Sequence, residues 1–442
     1  MNLPSSEPTA AAQKAYRASL LRFSEDGAAV FDSDGLLVVD GQGKVCAAGD
    51  FSALREAFAH VPTQHFPGRI IAPGFVDLHV HYPQIDVIGS PADGLLPWLE
   101  NYTFPEEKCF SSLDYCASVA TFFIAELLRN GVTTALTFAT SHVPSVNALF
   151  EAADTAGLRI ISGKCLQDRN CPDGVRDETE SSLIDTENLI KRWHGGGARG
   201  QLGYAITPRF APTCSDAQMR GMGELAAKYP DVWIQSHVSE NTDEIAWVRQ
   251  LYPQDTSYLG VYDRFGLLRS RSVYAHCIHF DDADRALMKQ RGAAAAVCPT
   301  SNLFLGSGNF DFAKAASQQM PHGLASDVGG GTSFSPFKTM LAAHYVCRST
   351  SRNGSVAKDP ISLSPQRLWW LHTAGAARSL GLGGVVGNLQ RGCDADFLVL
   401  NPQATPLLAR RTARATSLDE CLFAMIVLGD ERVVERTVLA GG

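Results

Sequence analysis

The sequence lacks the features of several specialised protein classes. Its eleven cysteines are scattered singly and contain no C-x-x-C pair, which argues against a disulfide framework and suits reduced thiols. No apolar run is long enough to span a membrane, and the N-terminus shows no basic segment followed by an apolar one. We therefore expect a cytoplasmic protein with no membrane partner.

Charge is sparse and acidic in balance. Charged residues make up 19% of the chain, and 38 Lys and Arg against 46 Asp and Glu give a net charge of −8. Tracking the phosphates of a nucleic acid requires the opposite sign, so we expect no nucleic acid polymer as partner. The hydrophobic content of 45% is typical of a globular protein, and 442 residues suit a large barrel with an appended domain.

Short β-type runs with glycine between them occur near both ends of the chain. Residues 28–72 contain AAVFDSDGLLVVDGQGKVCAAG and FPGRIIAPG, and a similar texture returns in GNLQRGCDADFLVLNP and DERVVERTVLAGG. Such runs flanking a long middle predict one small β-domain built from both termini. The predicted division is 1–72 and 381–442 for the β-domain and 73–380 for the middle.

The middle alternates strand-like and helix-like stretches. The strand-like runs are 70–81, 132–140, 158–166, 202–210, 232–240, 272–280, 293–301 and 322–330. Eight such units over this length match a (β/α)8 barrel, although an open doubly wound sheet shares the alternation. Residues 82–131 are predicted to form an enlarged loop and helix over the barrel mouth.

A set of predicted metal ligands falls at the ends of these runs. In D-L-H-V-H, His79 and His81 are two residues apart, so in a strand both imidazoles point to the same face. An isolated H-x-H can equally be two packing histidines, but His237 ends the fifth run and Asp327 the eighth. Barrel chemistry collects at the carboxyl ends of strands, and three imidazoles with one carboxylate suit one divalent metal such as Zn2+ or Fe2+.

Two further residues are candidates for proton transfer beside that metal. Glu240 follows His237 by three positions, where a strand leaving for a loop can turn its carboxylate back to the mouth. A solvated loop acid is the alternative. His276 ends the sixth run and can polarise or hydrogen-bond the attacking oxygen, whereas His279 is interpreted as a loop or packing histidine.

The motifs P-G-F-V-D-L-H-V-H and G-C-D-A-D-F-L-V-L resemble the amidohydrolase superfamily over nearly the whole chain. The resemblance implies a metal-dependent (β/α)8 barrel of the TIM type with a small β-sandwich formed by both termini. It implies a site made of the ligands His79, His81, His237 and Asp327 and the catalytic residues Glu240, His276 and Asp327. Members with two metals carry a bridging lysine at the end of the fourth strand. Here that run ends in T-P-R-F, and Lys164 lies one strand earlier, so one metal is expected.

Several segments resemble the guanine deaminases within this superfamily. They are H-V-H-Y-P-Q, W-L-E-N-Y-T-F-P-E-E, T-P-R-F-A-P-T-C-S, S-H-V-S-E-N and C-P-T-S-N-L-F-L-G-S-G. The resemblance implies guanine as substrate, a homodimer, and a base pocket lined by Gln84, Arg209 and Phe210, with His237, Glu240 and His276 also contacting the base. A guanidinium can pair with O6 and N7 of guanine, an amide with O6 and N1–H, and a phenyl ring with the purine plane. A rim salt bridge is the alternative for Arg209.

The expected reaction is hydrolytic deamination. A metal-activated water attacks C2 while Asp327 orients it and Glu240 carries a proton to N3, releasing ammonia and leaving xanthine. Three alternatives stay open at this point: deamination of another aminated ring such as a pterin or triazine, hydrolytic opening of a cyclic amide, and a catalytically inactive binding protein. The H-x-E and P-C-x-x-C pattern of the other zinc deaminases is absent from the sequence.

Overall fold

A computed structural model describes residues 13–350 and 362–442, so residues 1–12 of the predicted β-domain and 351–361 of the predicted middle lie outside it. Its strands are β1 Lys14–Phe23, β2 Ala29–Val39, β3 Val45–Asp50, β4 Thr63–Pro73, β5 Phe75–His81, β6 Val132–Phe138, β7 Arg159–Gly163, β8 Cys165–Leu166, β9 Leu202–Pro208, β10 Trp233–Val238, β11 Ser272–His276, β12 Ala294–Val297, β13 His322–Leu324, β14 Phe397–Leu400 and β15 Val434–Val438.

Helices connect most of these strands. They are α1 Phe51–Leu54, α2 Leu95–Trp98, α3 Phe104–Lys108, α4 Leu113–Arg129, α5 Val143–Ala156, α6 Thr179–Trp193, α7 Asp216–Lys228, α8 Thr242–Leu251, α9 Tyr258–Arg264, α10 Asp282–Arg291, α11 Pro299–Phe304, α12 Phe312–Ser317, α13 Pro336–Thr350, α14 Pro365–Leu371, α15 Ala374–Ser379, α16 Pro406–Thr412 and α17 Leu418–Leu428. Short 3-10 turns span Tyr82–Val87, Cys109–Ser111, Asp173–Val175, Ala211–Thr213 and Glu431–Val433, and a π-turn spans Leu99–Thr103.

The middle of the chain is the predicted parallel barrel. Its strands follow the order β5-β6-β7-β9-β10-β11-β12-β13, and β8 pairs separately with β9. The two ends of this order meet at the mouth, where the Asp327 amide donates to the His79 carbonyl at 2.9 Å and the His81 amide donates to the Val328 carbonyl at 2.7 Å. The fold class predicted from the alternation is therefore confirmed.

Small and branched side chains fill the barrel interior and its base. One apolar cluster joins interior residues such as Val76, Leu136 and Ala275 to α15, which packs under the barrel. Gly323 in β13 allows this close packing, because a Cβ there would lie 2.7 Å from Leu78 Cδ1. A much larger cluster lies between the strands and the surrounding helices. The interior is thus a packed core at the base and is open only toward the mouth.

Both chain ends build a second, mixed sheet. Its order is β15-β14-β4-β1-β2-β3, with β1 and β4 parallel and the other neighbours antiparallel. The strand β1, in the segment KAYRASLLRF, was not among the predicted runs. Its burial alternates only in part, and it packs centrally between β2 and β4.

Residues 82–131 cover the barrel mouth with more helix than expected. The helix α4 begins at the cap Ser112 and buries an apolar stripe that includes Cys116, Phe123 and Leu127. Residues of α2 and α3 pack with Leu305 in a cluster of their own above the mouth. Among the described residues, no single helix is long and apolar enough to cross a membrane; Leu95–Ser111 and Leu113–Arg129 pass only as a pair bent by 116°.

Several strands end earlier than the sequence pattern predicts, among them the last two of the barrel. The run 293–301 forms a strand only over Ala294–Val297, and α11 begins at Pro299 because proline suits the first turn of a helix. The run 322–330 forms a strand only over His322–Leu324. Asp327 therefore lies beyond its strand, in the loop that closes the barrel.

Candidate active site

Four side chains converge at the mouth end of the barrel. His79 and His81 project from β5 with their Nε2 atoms 3.0 Å apart, and His237 Nε2 in β10 lies 3.3 Å from His81 Nε2. Asp327 Oδ1 lies 3.2 Å from His79 Nε2 and 3.3 Å from His81 Nε2. The spacing within β5 aligns the two histidines, and β10 and the loop after β13 bring His237 and Asp327 beside them.

The donor set fits a divalent cation. His237 Nδ1–H donates to the Arg209 carbonyl at 2.6 Å, which leaves the Nε2 lone pair facing the other ligands. Burial lowers the pKa of His79 to about 4 and the pKa of His237 well below its usual 6.5, so both rings stay neutral as metal ligands require. The histidine contacts hold the pKa of Asp327 well below 3.8 although burial opposes them, which keeps its carboxylate charged.

The backbone is locally strained at Asp327 and next to two other predicted site residues, Glu240 and His276. Ser239, Cys277 and Asp327 have φ values of 50°, 58° and 52°, in the left-handed region that non-glycine residues rarely adopt. Ser239 precedes Glu240, and Cys277 follows His276. Left-handed residues at a strand end turn the chain sharply, and their clustering here is typical of a functional site.

Glu240 and His276 form a buried pair next to the ligand cluster. His276 Nε2 lies 3.3 Å from Glu240 Oε2 and 3.7 Å from Asp327 Oδ2. Burial and the charge of Asp327 raise the pKa of Glu240 to about 8. A carboxyl group that is protonated near neutral pH can donate a proton and later recover it, which suits general acid–base chemistry.

A pocket of about 440 Å³, including its open side, lies over this cluster. Four of its lining residues, Leu95, Trp98, Leu99 and Leu305, pack in one apolar cluster. The remaining lining residues are His81, Gln84, Arg209, Phe210, His237, Glu240, Glu244, His276, Asp327 and Gly330. All the predicted site residues except His79 line this pocket, and His79 lies directly beside His81 and Asp327.

The predicted base-binding residues are linked by a carboxylate that the sequence did not single out. Arg209 Nη1 donates to Glu107 Oε2 at 2.6 Å, and Gln84 Nε2 donates to Glu107 Oε1 at 3.3 Å. The guanidinium also lies over the ring of Phe104 at 4.9 Å. Both the predicted pocket position and the alternative salt bridge of Arg209 are therefore present together.

Four other buried residues hold the site and were missed as such. Glu244 accepts the amides of Glu240 and Asn241, Asn302 contacts His276, and Ser307 contacts Glu240. The capping pattern N-x-x-E at 241–244 was a signal for Glu244, and the segment 298–308 contained the other two. The fourth is Asp77, which accepts the amides of His79 and Ser326 and so joins the two ligand-bearing segments.

Lys164 and His279 lie where the sequence interpretation put them. Lys164 is buried between β7 and β8 and forms an ion pair with Asp177. His279 donates from Nε2 to the Ser307 carbonyl at 3.0 Å and supports a loop.

Comparison with known proteins agrees with this geometry. The amidohydrolase family profile matches residues 70–442. A guanine deaminase from Escherichia coli (strain K12) is 42% identical over 96% of this chain and 92% of its own, and a probable guanine deaminase from Deinococcus radiodurans is 35% identical over 97% and 98%. The crystal structure of a guanine deaminase from C. acetobutylicum with guanine in its active site matches with a TM-score of 0.90 at 33% identity, covering 97% and 99% of the two chains.

Proposed function

The chain belongs to the amidohydrolase family, and from that premise we propose that it is a guanine deaminase, which converts guanine and water into xanthine and ammonia. The observation that carries the assignment is that one pocket combines a candidate metal and proton-transfer site with a polar network suited to a base. The ligand cluster with Glu240 and His276 lies beneath, and the Arg209–Glu107–Gln84 network lies beside it. The first supplies hydrolytic chemistry, and the second suits the polar edge of guanine.

One divalent cation is proposed per chain, zinc with ferrous iron as the alternative. His79, His81, His237 and Asp327 would hold it, since three neutral imidazoles and a carboxylate are the donors that such cations prefer. Such a cation, when bound, lowers the pKa of water so that hydroxide is available near neutral pH. All remaining steps are assigned to side chains of this protein.

Glu240 is the proposed proton carrier. Its carboxyl, with a pKa raised to about 8 by burial and by Asp327, is protonated at neutral pH and can give that proton to N3 as the water oxygen adds to C2. It then takes one proton from the added water and delivers it to the departing amine, and it takes the second water proton as the C2 carbonyl forms, so that its carboxyl ends protonated as it began. The C2–N bond breaks, ammonia leaves, and xanthine remains. Asp327 orients the water, and His276 stabilises the oxygen that develops charge.

Three side chains are proposed to recognise the base. Arg209 can retain Glu107 on Nη1 while its other donors face O6 and N7, because a guanidinium carries five N–H groups in a fixed fork. Gln84 is held by Glu107 and by the Gly329 amide at 3.4 Å, so its amide is oriented before guanine enters. Phe210 offers a ring to the purine plane. Adenine carries an amino group at position 6, so a hydrogen-bond donor of the base would lie opposite the N–H donors of Arg209.

Further proposals concern organisation. We propose that residues 1–72 and 381–442 form the β-sandwich domain and residues 73–380 the catalytic barrel, since β4 and β14 pair with each other on the outer sheet. A homodimer is proposed from the family resemblance, and analytical ultracentrifugation tests it. A cytoplasmic location is proposed because buried thiols such as Cys165, Cys214 and Cys298 form no disulfides.

The test is turnover of guanine by the purified protein. We expect ammonia release with conversion to xanthine for guanine and no comparable turnover of adenine, cytosine or guanosine, and we expect a strong chelator to abolish it. Metal content is measured on the same sample. A sample with one cation per chain that leaves guanine unchanged but deaminates another aminated ring would contradict the substrate assignment and retain the reaction type.

A further inference from the structure

We propose that residues 298–308, here called the positioning arm, align both proton-transfer residues through Asn302 and Ser307. The inference rests on the proposed function, because it assigns a kinetic role to contacts made with His276 and Glu240. Neither Asn302 nor Ser307 was among the site residues expected from the sequence. Both are buried, with exposures of 1% and 5%.

Asn302 holds the imidazole of His276. The Asn302 Oδ1 atom lies 2.8 Å from His276 Nδ1, and the ring is 1% exposed. An amide oxygen accepts a hydrogen bond from Nδ1–H, so this contact leaves Nε2 as the ring nitrogen that faces the pocket. That Nε2 atom lies 3.3 Å from Glu240 Oε2. Asn302 therefore determines both the plane of the ring and the nitrogen that meets the carboxyl.

Ser307 holds the opposite end of the pair. Its hydroxyl donates to Glu240 Oε1 at 3.1 Å, inside the protein. The other carboxyl oxygen, Oε2, is the one directed at His276. With Oε1 engaged, the carboxyl cannot rotate freely, and one defined oxygen is left to exchange protons. A geometry fixed within a fraction of an ångström is what proton transfer requires.

The arm keeps these two contacts at a fixed spacing. The Ser307 amide donates to the Asn302 carbonyl at 3.0 Å, and the Leu305 amide donates to the Ser301 carbonyl at 2.8 Å. His279 donates to the Ser307 carbonyl at 3.0 Å, which ties the arm to the loop after β11. The arm thus turns once through α11 and returns, so that one rigid segment contacts both residues.

A structural role alone predicts a different outcome from a positioning role. If Asn302 and Ser307 only satisfy buried polar groups, their loss lowers stability and leaves kcat of the folded enzyme unchanged. If they position His276 and Glu240, Asn302→Ala and Ser307→Ala each lower kcat about 10-fold or more with a smaller change in KM. The loss then disappears when the partner is already missing.

The experiment is a pair of double-mutant cycles on the metal-loaded enzyme. Asn302→Ala is combined with His276→Ala, and Ser307→Ala with Glu240→Gln, with kcat, KM for guanine, melting temperature and metal content measured for each. Asn309→Ala is the matched control, because this neighbouring residue is half-buried and its amide contacts Ser349 instead. Ser307→Thr keeps the hydroxyl and should restore most of kcat, and Asn302→Asp keeps an acceptor oxygen if the alanine variant does not fold.

The outcomes distinguish a failure of the positioning role from a failure of the proposed catalytic roles of His276 and Glu240. The positioning role is supported if each single alanine change lowers kcat as expected, and if the same change lowers kcat no further once the partner residue is already substituted. The positioning role is overturned if the alanine change lowers kcat by the same factor with and without the partner residue, or if it does not lower kcat at all. If His276→Ala and Glu240→Gln themselves keep the kcat of the unaltered enzyme, the proposed catalytic roles fail instead.

Discussion

Two buried arginine–carboxylate pairs occupy opposite ends of the same barrel. At the mouth, Arg209 follows β9 and meets Glu107 at 2.6 Å; at the base, Arg159 begins β7 and meets Asp394 at 2.7 Å. The base pair belongs to a network in which Asp394 also meets Lys44 at 2.5 Å, and it fastens the barrel to the terminal sheet. The mouth pair borders an open pocket. The same chemical pair therefore joins two parts of the chain at one end and borders a pocket at the other.

Three buried carboxyl groups, two at the mouth and one at the base, have pKa values shifted in opposite directions. At the mouth, burial raises the pKa of Asp77 to about 7 and the pKa of Glu240 to about 8. At the base, burial acts in the same direction on Asp394, but Lys44 and Arg159 outweigh it and keep the pKa below the usual 3.8. The carboxyl groups of Asp77 and Glu240 are thus kept available for protons, whereas the Asp394 carboxylate is fully committed to ion pairs.

The largest expected effect is loss of a ligand at the mouth. His79→Ala should remove the cation and lower kcat by about 10³-fold or more, because the reaction loses its source of hydroxide. The chain should still fold, since the base and the terminal sheet are untouched. Metal analysis, guanine turnover and far-UV circular dichroism check this.

His65→Ala is the control for that change. His65 lies in β4 of the terminal sheet and is exposed. Its loss should alter neither metal content nor turnover. Retention of a full complement of metal in His79→Ala would contradict the ligand assignment.

The next largest effect is expected at the base, where a substitution should lower stability and leave activity unchanged. Arg159→Met should destabilise the protein by about 3 kcal/mol, because it removes one partner of a buried ion pair and leaves Asp394 only partly compensated. The kcat of the folded enzyme should not change. Denaturant unfolding and kinetics measure the two quantities. Arg192→Met is the control: its pair with Glu151 at 3.2 Å is exposed, and its loss should cost less than about 1 kcal/mol.

The sequence predicted the mouth better than the base. Period-two spacing placed His79 and His81 on one face, and the rule that barrel chemistry lies at strand ends brought in His237, His276 and Asp327. These patterns depend only on residue spacing along short stretches of the chain. The fold class followed from the alternation of eight units.

Contacts between distant segments were not predictable in the same way. Glu107 lies 102 residues before Arg209, and Asp394 lies 235 residues after Arg159, so no periodicity relates the partners. The residues Asn302 and Ser307 also act through the tertiary structure, although the segment that carries them was noticed. Strand ends were misjudged where Pro299 starts a helix and where Asp327 lies in a left-handed turn.

A subtler change at the mouth is the replacement of Arg209 by lysine. Arg209→Lys keeps the positive charge opposite Glu107 but loses the planar fork, so KM for guanine should rise about 10- to 100-fold with metal content unchanged. Stability should fall less than in Arg159→Met, because a counter-charge remains. Steady-state kinetics and thermal melting check both expectations. An unchanged KM would show that Arg209 serves only the salt bridge.

The smallest effect is a pair of opposite pH dependences. The folded pKa of Asp394 lies below 3.8, so its contribution to stability is present above that value and is lost as pH falls through the folded pKa. The gap in melting temperature between the unaltered protein and Asp394→Asn should therefore narrow toward acid. Burial raises the pKa of Glu244 from 4.5 to about 7, so the folded protein loses stability as pH rises through that interval. Glu244→Gln should gain stability relative to the unaltered protein over the same range. If the two relative melting curves moved in the same direction with pH, the contrast between mouth and base would not hold for these two carboxyl groups.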